Sequence, residues 1–269
     1  MHVVSTPIGH LGDISLRALA VLKGVAAICC EDTRHAHILL QRYGIRTPTL
    51  ALHEHNEAQA TPRLLERLRA GDALALISDA GTPLVSDPGV RLVMAAVKAG
   101  IRVVPIPGAS ATLAALVASG IVPHPCTILG FLARKGGERR AQLDLAVSLP
   151  HAVVLFESAN RLVETLRDLA QAADGPRHVA VARELTKHYE EIRRGTLLEV
   201  AAYYEETTPR GEIVIVLDGA SVVAPSEDTL RAVADALRAE GVRPREIVQR
   251  LVDDHRASRN LAYRLAHDT

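Results

Sequence analysis

Short β-branched runs alternate with longer stretches of helical period along most of this chain. HVVST (2–6), VAAICCED (25–32), TLALHEH (49–55), DALALISDAG (72–81) and IRVVPIPG (101–108) read as strands. Between them SLRALAVLK, TRHAHILLQRYG, TPRLLERLRAG and GVRLVMAAVKAG carry apolar residues at helical spacing, and several end on the glycine that commonly stops a helix. Runs that are apolar on both faces and separated by helices predict a sheet covered on both sides. A helix over 109–119 leads into the Pro-rich GIVPHP (120–125), which marks a boundary. A second alternation follows: CTILGFL, HAVVLFES, RHVAVAREL and GEIVIVLDG, with helices over 137–148 and 160–173 and a strand then a helix within HYEEIRRGTLLEVAAYY. After SVVAPSED (221–228) come three helical patterns, 226–240, 244–255 and 258–267, with Ser226 and Ser258 suited to cap and Pro244 to a first turn. The expected organisation is α/β in two lobes, 1–119 and 120–221, with a small helical appendage over 222–269.

Composition narrows the classes. The 269 residues are 48% apolar, a folded composition, with no Trp and few aromatics, which disfavours ring-stacking readers of bases or sugars. Formal net charge is zero, so any grip on nucleic acid must come from local charge. The cysteines Cys29, Cys30 and Cys126 show no metal spacing and read as reduced thiols of a cytoplasmic protein. MHVVSTPIGH lacks the pattern of a signal peptide, and no apolar run has membrane-spanning length, so neither export nor membrane insertion is expected.

Candidate chemistry gathers at the strand ends, where α/β sheets bind ligands. STPIGHLGD (5–13), CEDTRH (30–35), LHEHNE (52–57), SDAGTPLVSDPG (78–89) and PIPGASA (105–111) belong to the first lobe; FESANR (156–161), ARELTKH (182–188) and RGEIV (210–214) to the second. Neither a Walker loop nor a GxGxxG fingerprint is present, which disfavours nucleotide phosphates as the anchor. Tight turns explain any one of these segments. Two Asp-containing turns in the twelve residues 78–89 exceed what a connection needs and favour a ligand loop. PIPGASA exposes the amides of Ser110 and Ala111 at a helix start. His53 and His55 would share a strand face, but no third ligand is apparent and a metal is not expected.

In this order the segments TPIGHLGD, CEDTRH, LHEHNE, SDAGTPLVSDPG, PIPGAS, GFLARKGG, ARELTK and GEIVIV resemble the tetrapyrrole methylase superfamily and, within it, the ribosomal RNA small subunit methyltransferase I family. The resemblance spans about residues 2–219, with local departures at His10, Ala109, Ala133, Ala159 and Asn160. It implies a class III methyltransferase fold whose cleft between lobes holds S-adenosylmethionine. It also implies a homodimer and, as the reaction, 2′-O-methylation of a cytidine in 16S ribosomal RNA within the 30S subunit. Carried over motif by motif, the donor contacts are Pro7, Asp79, Ala80, Gly81, Thr82, Ser110 and Ala111 from the first lobe. From the second they are Phe156, Leu185, Gly211, Glu212 and Ile213.

A ribose hydroxyl is a poor nucleophile and needs its proton drawn off or its oxygen oriented. Glu31, Asp32, Arg34, Glu157, Glu184 and Lys187 lie where they could act, and Lys187, Asp32 and Glu157 are the foremost candidates. Asp32 equally suits a helix cap, and Arg183 with Glu184 an ion pair. Arg34 and the basic glycine loop with Arg134, Lys135, Arg139 and Arg140 are candidate phosphate contacts, against the ordinary reading of a solvated surface. The tail holds six Arg and three acidic residues between Arg243 and Arg264, which fits RNA docking or packing equally. Two other functions compete: a corrin or porphyrin carbon methylase, which usually opens with a GxGPGD-type loop, and a non-catalytic RNA-binding or assembly protein retaining the fold.

Overall fold

The computed structural model describes residues 1–173, 175–220, 226–255 and 257–267. Residues 1–220 form one compact unit and 221–269 another. The first unit contains two five-stranded sheets.

The first sheet is built from β1 (His2–Val4), β2 (Ala27–Cys30), β3 (Thr49–Ala51), β4 (Leu74–Leu76) and β5 (Val104–Ile106). Its order is β3-β2-β4-β1-β5 and every pairing is parallel. Both faces are buried, which explains the uninterrupted apolar runs. Val4, Ile28, Cys30 and Ala75 pack against α1 (Leu16–Gly24) and α2 (Thr33–Arg42). Cys29, Leu74 and Leu76 face the other way, against α3 (Glu57–Arg69) and α4 (Val90–Lys98). The adjacent strands β1 and β4 therefore send their connections to opposite faces, which opens a crevice beyond their carboxyl ends. Burial also lifts the Cys29 and Cys30 thiols to about 12 and about 11, so both stay protonated and inert.

The second sheet runs β6 (Cys126–Phe131), β7 (Ala152–Ser158), β10 (Glu212–Leu217), β8 (His178–Arg183) and β9 (Glu191–Thr196) in that spatial order. Only β6 and β7 are parallel; the other pairings are antiparallel. Val153, Leu155, Val181, Ile213 and Ile215 pack on α6 (Gly136–Ser148), α7 (Leu162–Ala172) and α8 (Leu197–Thr207). The alternate residues Val154, Ala182, Val214 and Val216 pack against Ala115 and Leu116 of α5 (Ala111–Ala118) and against Ile8 from the first sheet's β1 loop. The last helix before residue 119 thus covers the second sheet, and the 119/120 boundary falls inside one compact unit. The 221/222 boundary lies outside the described residues.

In the second unit α9 (Glu227–Ala239), α10 (Pro244–Asp253) and α11 (Arg259–His267) enclose Leu230, Ala234, Ile247, Leu251 and Leu265. Ser226 and Ser258 cap α9 and α11 through side chains that accept from Thr229 N–H and Leu261 N–H, and Pro244 opens α10.

The α/β fold in two sheets with a helical tail agrees with the sequence expectation. One local geometry differs. His53 and His55 lie past the end of β3 in a turn that Asn56 holds, its carbonyl accepting from His53 N–H at 2.9 Å and its amide donating to Ala51 O at 3.0 Å. The alternation read for a strand therefore does not apply there. Glu57 of the same motif is buried and its carboxylate accepts from Arg91 N–H at 2.6 Å, capping α4.

Candidate active site

The loops after β1 and β4 are tied together. Thr6 N–H donates to Gly81 O at 2.8 Å and Gly81 N–H returns a bond to Thr6 O at 3.1 Å. Gly81 has φ +79°, a backbone conformation natural to glycine. Thr82 Oγ1 donates to Ala109 O at 3.1 Å and lies 3.0 Å from Ser5 Oγ. Gly81 and Thr82 are thus consumed in shaping the loop. Asp79 accepts from the backbone N–H of Asp32 at 3.2 Å, joining the ends of β2 and β4. Beyond them Leu84 and Ser86 hold φ +75° and +68°, uncommon for side-chain-bearing residues and typical of functional loops.

The second lobe meets these loops at two close approaches. A side chain on Gly130 would collide with Ser86 Oγ, and one on Gly9 with Thr186 and Lys187. Between these contacts lies a hollow of about 410 Å³. Ala80, Ala111, Phe156, Leu185, Gly211, Glu212 and Ile213, seven of the expected donor contacts, line it. A neighbouring hollow of about 340 Å³ is lined by Pro7 and Asp79 and shares Ile8, Ala80 and Glu212 with the first. Ser110 lies at the edge as the cap of α5, accepting from Leu113 N–H at 3.5 Å. Ile8, Phe131, Ser86 and Asp87 also line the larger hollow and were not anticipated. Phe131 stands 55% exposed in β6 beside Phe156, on the wall of this hollow.

The expected catalytic residues are placed differently from one another. Glu157 alternates with Val153 and Leu155 on β7, so its carboxylate enters the core, 2% exposed. There it accepts from Thr165 Oγ1 at 2.6 Å and Ser158 N–H at 2.8 Å, and lies 3.6 Å from Arg161 Nε. Saturated in this way, it supports the wall rather than accepting a substrate proton. Asp32 caps α2 through Arg34 N–H at 2.8 Å and pairs with that residue's guanidinium at 2.7 Å. The Arg34 hydrogen bonds hold its carboxyl well below the usual carboxylate range, so it is too weak a base for the step; it borders neither hollow. Lys187 lines the smaller hollow, 3.0 Å from both Glu184 Oε1 and Glu212 Oε2. Partial burial pulls its ammonium down, but the two carboxylates outweigh that and the net direction is up, leaving a fixed cation rather than a base.

Arg139 also needs correction. It is 7% exposed, and its guanidinium donates to Asp168 Oδ2 at 2.6 Å, to Thr165 Oγ1 at 3.1 Å and to Ala133 O at 3.3 Å. A buried, fully bonded guanidinium cannot reach a phosphate. Its spacing from Leu143 and Ala146 on the inner face of α6 was the available sequence signal. Arg134, Lys135 and Arg140 are exposed, the last 3.3 Å from Asp144. Arg34 is exposed too, though tied to Asp32. Among the described residues no group of three or more His, Cys, Asp or Glu is placed to hold a metal.

Residues 1–201 match the family of Tetrapyrrole (Corrin/Porphyrin) Methylases. The chain is 48% identical over 241 residues to the ribosomal RNA small subunit methyltransferase I of Mesorhizobium japonicum, covering 89% of this chain and 82% of that one. It is 41% identical to the protein of that name from Synechocystis, over 99% of this chain and 96% of the other. Among solved structures, the Thermus thermophilus uroporphyrin-III C-methyltransferase complexed with S-adenyl homocysteine aligns with TM-score 0.59 at 20% identity, over 81% of this chain and 96% of that one. Diphthine synthase aligns with TM-score 0.62 at 16% identity, over 81% and 88%. At those identities the two structures establish the fold alone. By sequence along nearly its whole length, the chain belongs to the tetrapyrrole methylase family and, within it, to the ribosomal RNA small subunit methyltransferase I family.

Proposed function

We propose that this protein is an S-adenosylmethionine-dependent methyltransferase that methylates the 2′-hydroxyl of a cytidine in 16S ribosomal RNA of the small subunit. The observation that carries this reading is near-complete-length identity of 41% to a relative named ribosomal RNA small subunit methyltransferase I, whereas the carbon-methylase structure aligns over 81% of the chain. The cleft supports it chemically. Apolar walls from Ile8, Phe156, Leu185 and Ile213 suit an adenine ring, and the Asp79 carboxylate at the first-lobe side suits the cationic ammonium of the donor. Among the described residues no cation lines the larger hollow. When bound, S-adenosylmethionine supplies an electrophilic methyl group with a good leaving group.

The chain's residues then have positioning tasks. Pro7, Asp79, Ala80, Ala111, Phe156, Leu185, Gly211, Glu212 and Ile213 hold the donor; Gly81, Thr82 and Ser110 shape the loops that present it. Lys187, locked between Glu184 and Glu212, orients the cleft mouth and offers a positive charge to the incoming RNA backbone. Arg34, Arg134, Lys135 and Arg140 contact phosphates. The acceptor is the RNA within the 30S particle, met in the cytoplasm. No helix among the described residues is long and apolar enough to cross a membrane. The working form is a homodimer: Met94 and Val97 of α4, and Leu113 and Val117 of α5, stand 56–75% exposed and gain from burial against a second copy. Incubation with labelled S-adenosylmethionine and unmodified small subunits tests the function. Label in 2′-O-methylcytidine supports it; label in a methylated base or in a tetrapyrrole offered beside the RNA overturns it.

A further inference from the structure

The carboxylates around the cleft differ in what already occupies them. Glu157 is saturated by Thr165, Ser158 and Arg161, and Glu212 is paired with Lys187. Asp87 is the third carboxylate lining the larger hollow, and among the described residues it has no hydrogen-bond or ion-pair partner. The N-cap of α4 is Gly89 and the helix's Arg91 and Leu92 N–H groups donate to Glu57, so Asp87, three residues before the helix, caps nothing there. The loop that carries it is held at positive φ at Leu84 and Ser86 and pressed against Gly130 of the second sheet. That strain has no structural return visible in the loop's own bonds; its effect is to present Asp87 to the cleft.

We propose that Asp87 is the catalytic base that accepts the proton of the ribose 2′-hydroxyl. The inference rests on the proposed function and names the residue for its proton transfer. The O–H bond of the hydroxyl breaks and its proton passes to an Asp87 carboxylate oxygen. The freed oxygen lone pair forms the O–CH₃ bond as the methyl–sulfur bond breaks, and that electron pair returns to sulfur, giving a neutral thioether. No oxidant or further reactant is needed. Half-burial, then the charges of Glu31 after β2 and Asp79 after β4, push the Asp87 carboxyl up to about 7, which suits a base working near neutrality. Glu31 is itself raised, by burial and then by Asp79, with His53 opposing. Across the hollow the facing carboxylate is Glu212, paired with Lys187; Glu157 contributes to the wall but turns its carboxylate into the core, beside Arg161.

The test compares wild type with Asp87→Asn and Asp87→Glu on unmodified small subunits, with donor affinity measured separately by calorimetry using S-adenosylhomocysteine. Asp87→Asn is expected to bind the product with unchanged affinity and to lose about 10²-fold or more in kcat. Wild-type kcat/KM should rise with pH to a plateau above about 7; the Asn variant should lose that inflection and the Glu variant recover part of the rate. A carbon-detected NMR titration of the free protein should show one carboxyl titrating near neutrality that is missing in Asp87→Asn, a readout independent of turnover. An Asn variant with the wild-type rate or pH profile overturns the assignment, as does the absence of such a carboxyl in wild type. Loss of product binding along with activity moves Asp87 to the donor site and overturns it equally. Failure of wild type itself to make 2′-O-methylcytidine removes the functional reading, and this inference with it, before any variant is compared.

Discussion

Replacing Asp87 by Asn should stabilise the protein at neutral pH. Burial and two neighbouring carboxylates raise this carboxyl from its ordinary 3.8 to about 7. The folded chain therefore binds the proton more tightly than the unfolded chain, and stability falls as pH rises between those two values. The full difference would correspond to an upper bound of ~4 kcal/mol at ~1.4 kcal/mol per pH unit. Asp87 is only half-buried, and solvent screening of its neighbours reduces the expected figure to about 1–2 kcal/mol. Asn keeps the shape and removes the charge, so the melting temperature of the variant should exceed wild type by roughly 3–6 °C just above neutrality. Near pH ~4, where the carboxyl of the folded chain is protonated, the two should melt together. Paired calorimetric scans at the two pH values measure this. Equal melting temperatures at both, or a variant less stable at neutral pH, would refute the electrostatic reasoning. A residue that lowers stability while lining the cleft is what a trade of stability for function leads one to expect.

Arg139→Ala should cost about 2–4 kcal/mol by leaving Asp168 and Thr165 without their buried partner, measurable by denaturant unfolding, whereas Arg140→Ala should fall within ~0.5 kcal/mol of wild type. Changing Arg134, Lys135 and Arg140 together to Glu should weaken RNA binding and make its salt dependence shallower; an unchanged slope would remove the phosphate contacts from this loop. Met94→Glu with Val117→Glu should shift the protein toward monomer in sedimentation, and an unchanged mass would place the dimer contact elsewhere. Asp79→Ala should abolish S-adenosylmethionine binding by calorimetry, and unchanged affinity would exclude Asp79 from the donor site.

Period and turn chemistry carried the fold far. The central strands β2 and β4 read directly because each is apolar on both faces, and Ser226, Ser258 and Pro244 marked the starts of the tail's three helical patterns. Strand direction in the second sheet did not read, since the apolar alternation in VVLF or IVIV is the same whether a neighbour runs parallel or antiparallel. α3 begins at Glu57, ahead of the TPRLL pattern, because Glu-Ala-Gln-Ala extends the helix back to the Asn56 turn, with Pro62 inside it. In the site, ordered strand-end motifs pointed to residues that the fold gathers around two neighbouring hollows, but charge alone misassigned individual groups. Arg139 and Arg140 are adjacent in sequence and opposite in burial, and Glu157 sits on the core phase of its strand. Asp87 was hidden because its distinction is a lack of partners, which becomes visible only when Glu57, Glu157 and Glu212 are seen to have theirs.

The central claim is that the methyl group goes to a ribose oxygen, and alkaline hydrolysis reads this directly. A 2′-O-methyl group removes the nucleophile that cleaves the adjacent phosphodiester. Small-subunit RNA labelled by this enzyme should therefore yield the label in a single alkali-resistant dinucleotide whose 5′ residue is cytidine. Label released wholly in mononucleotides would place the methyl group on a base and contradict the account.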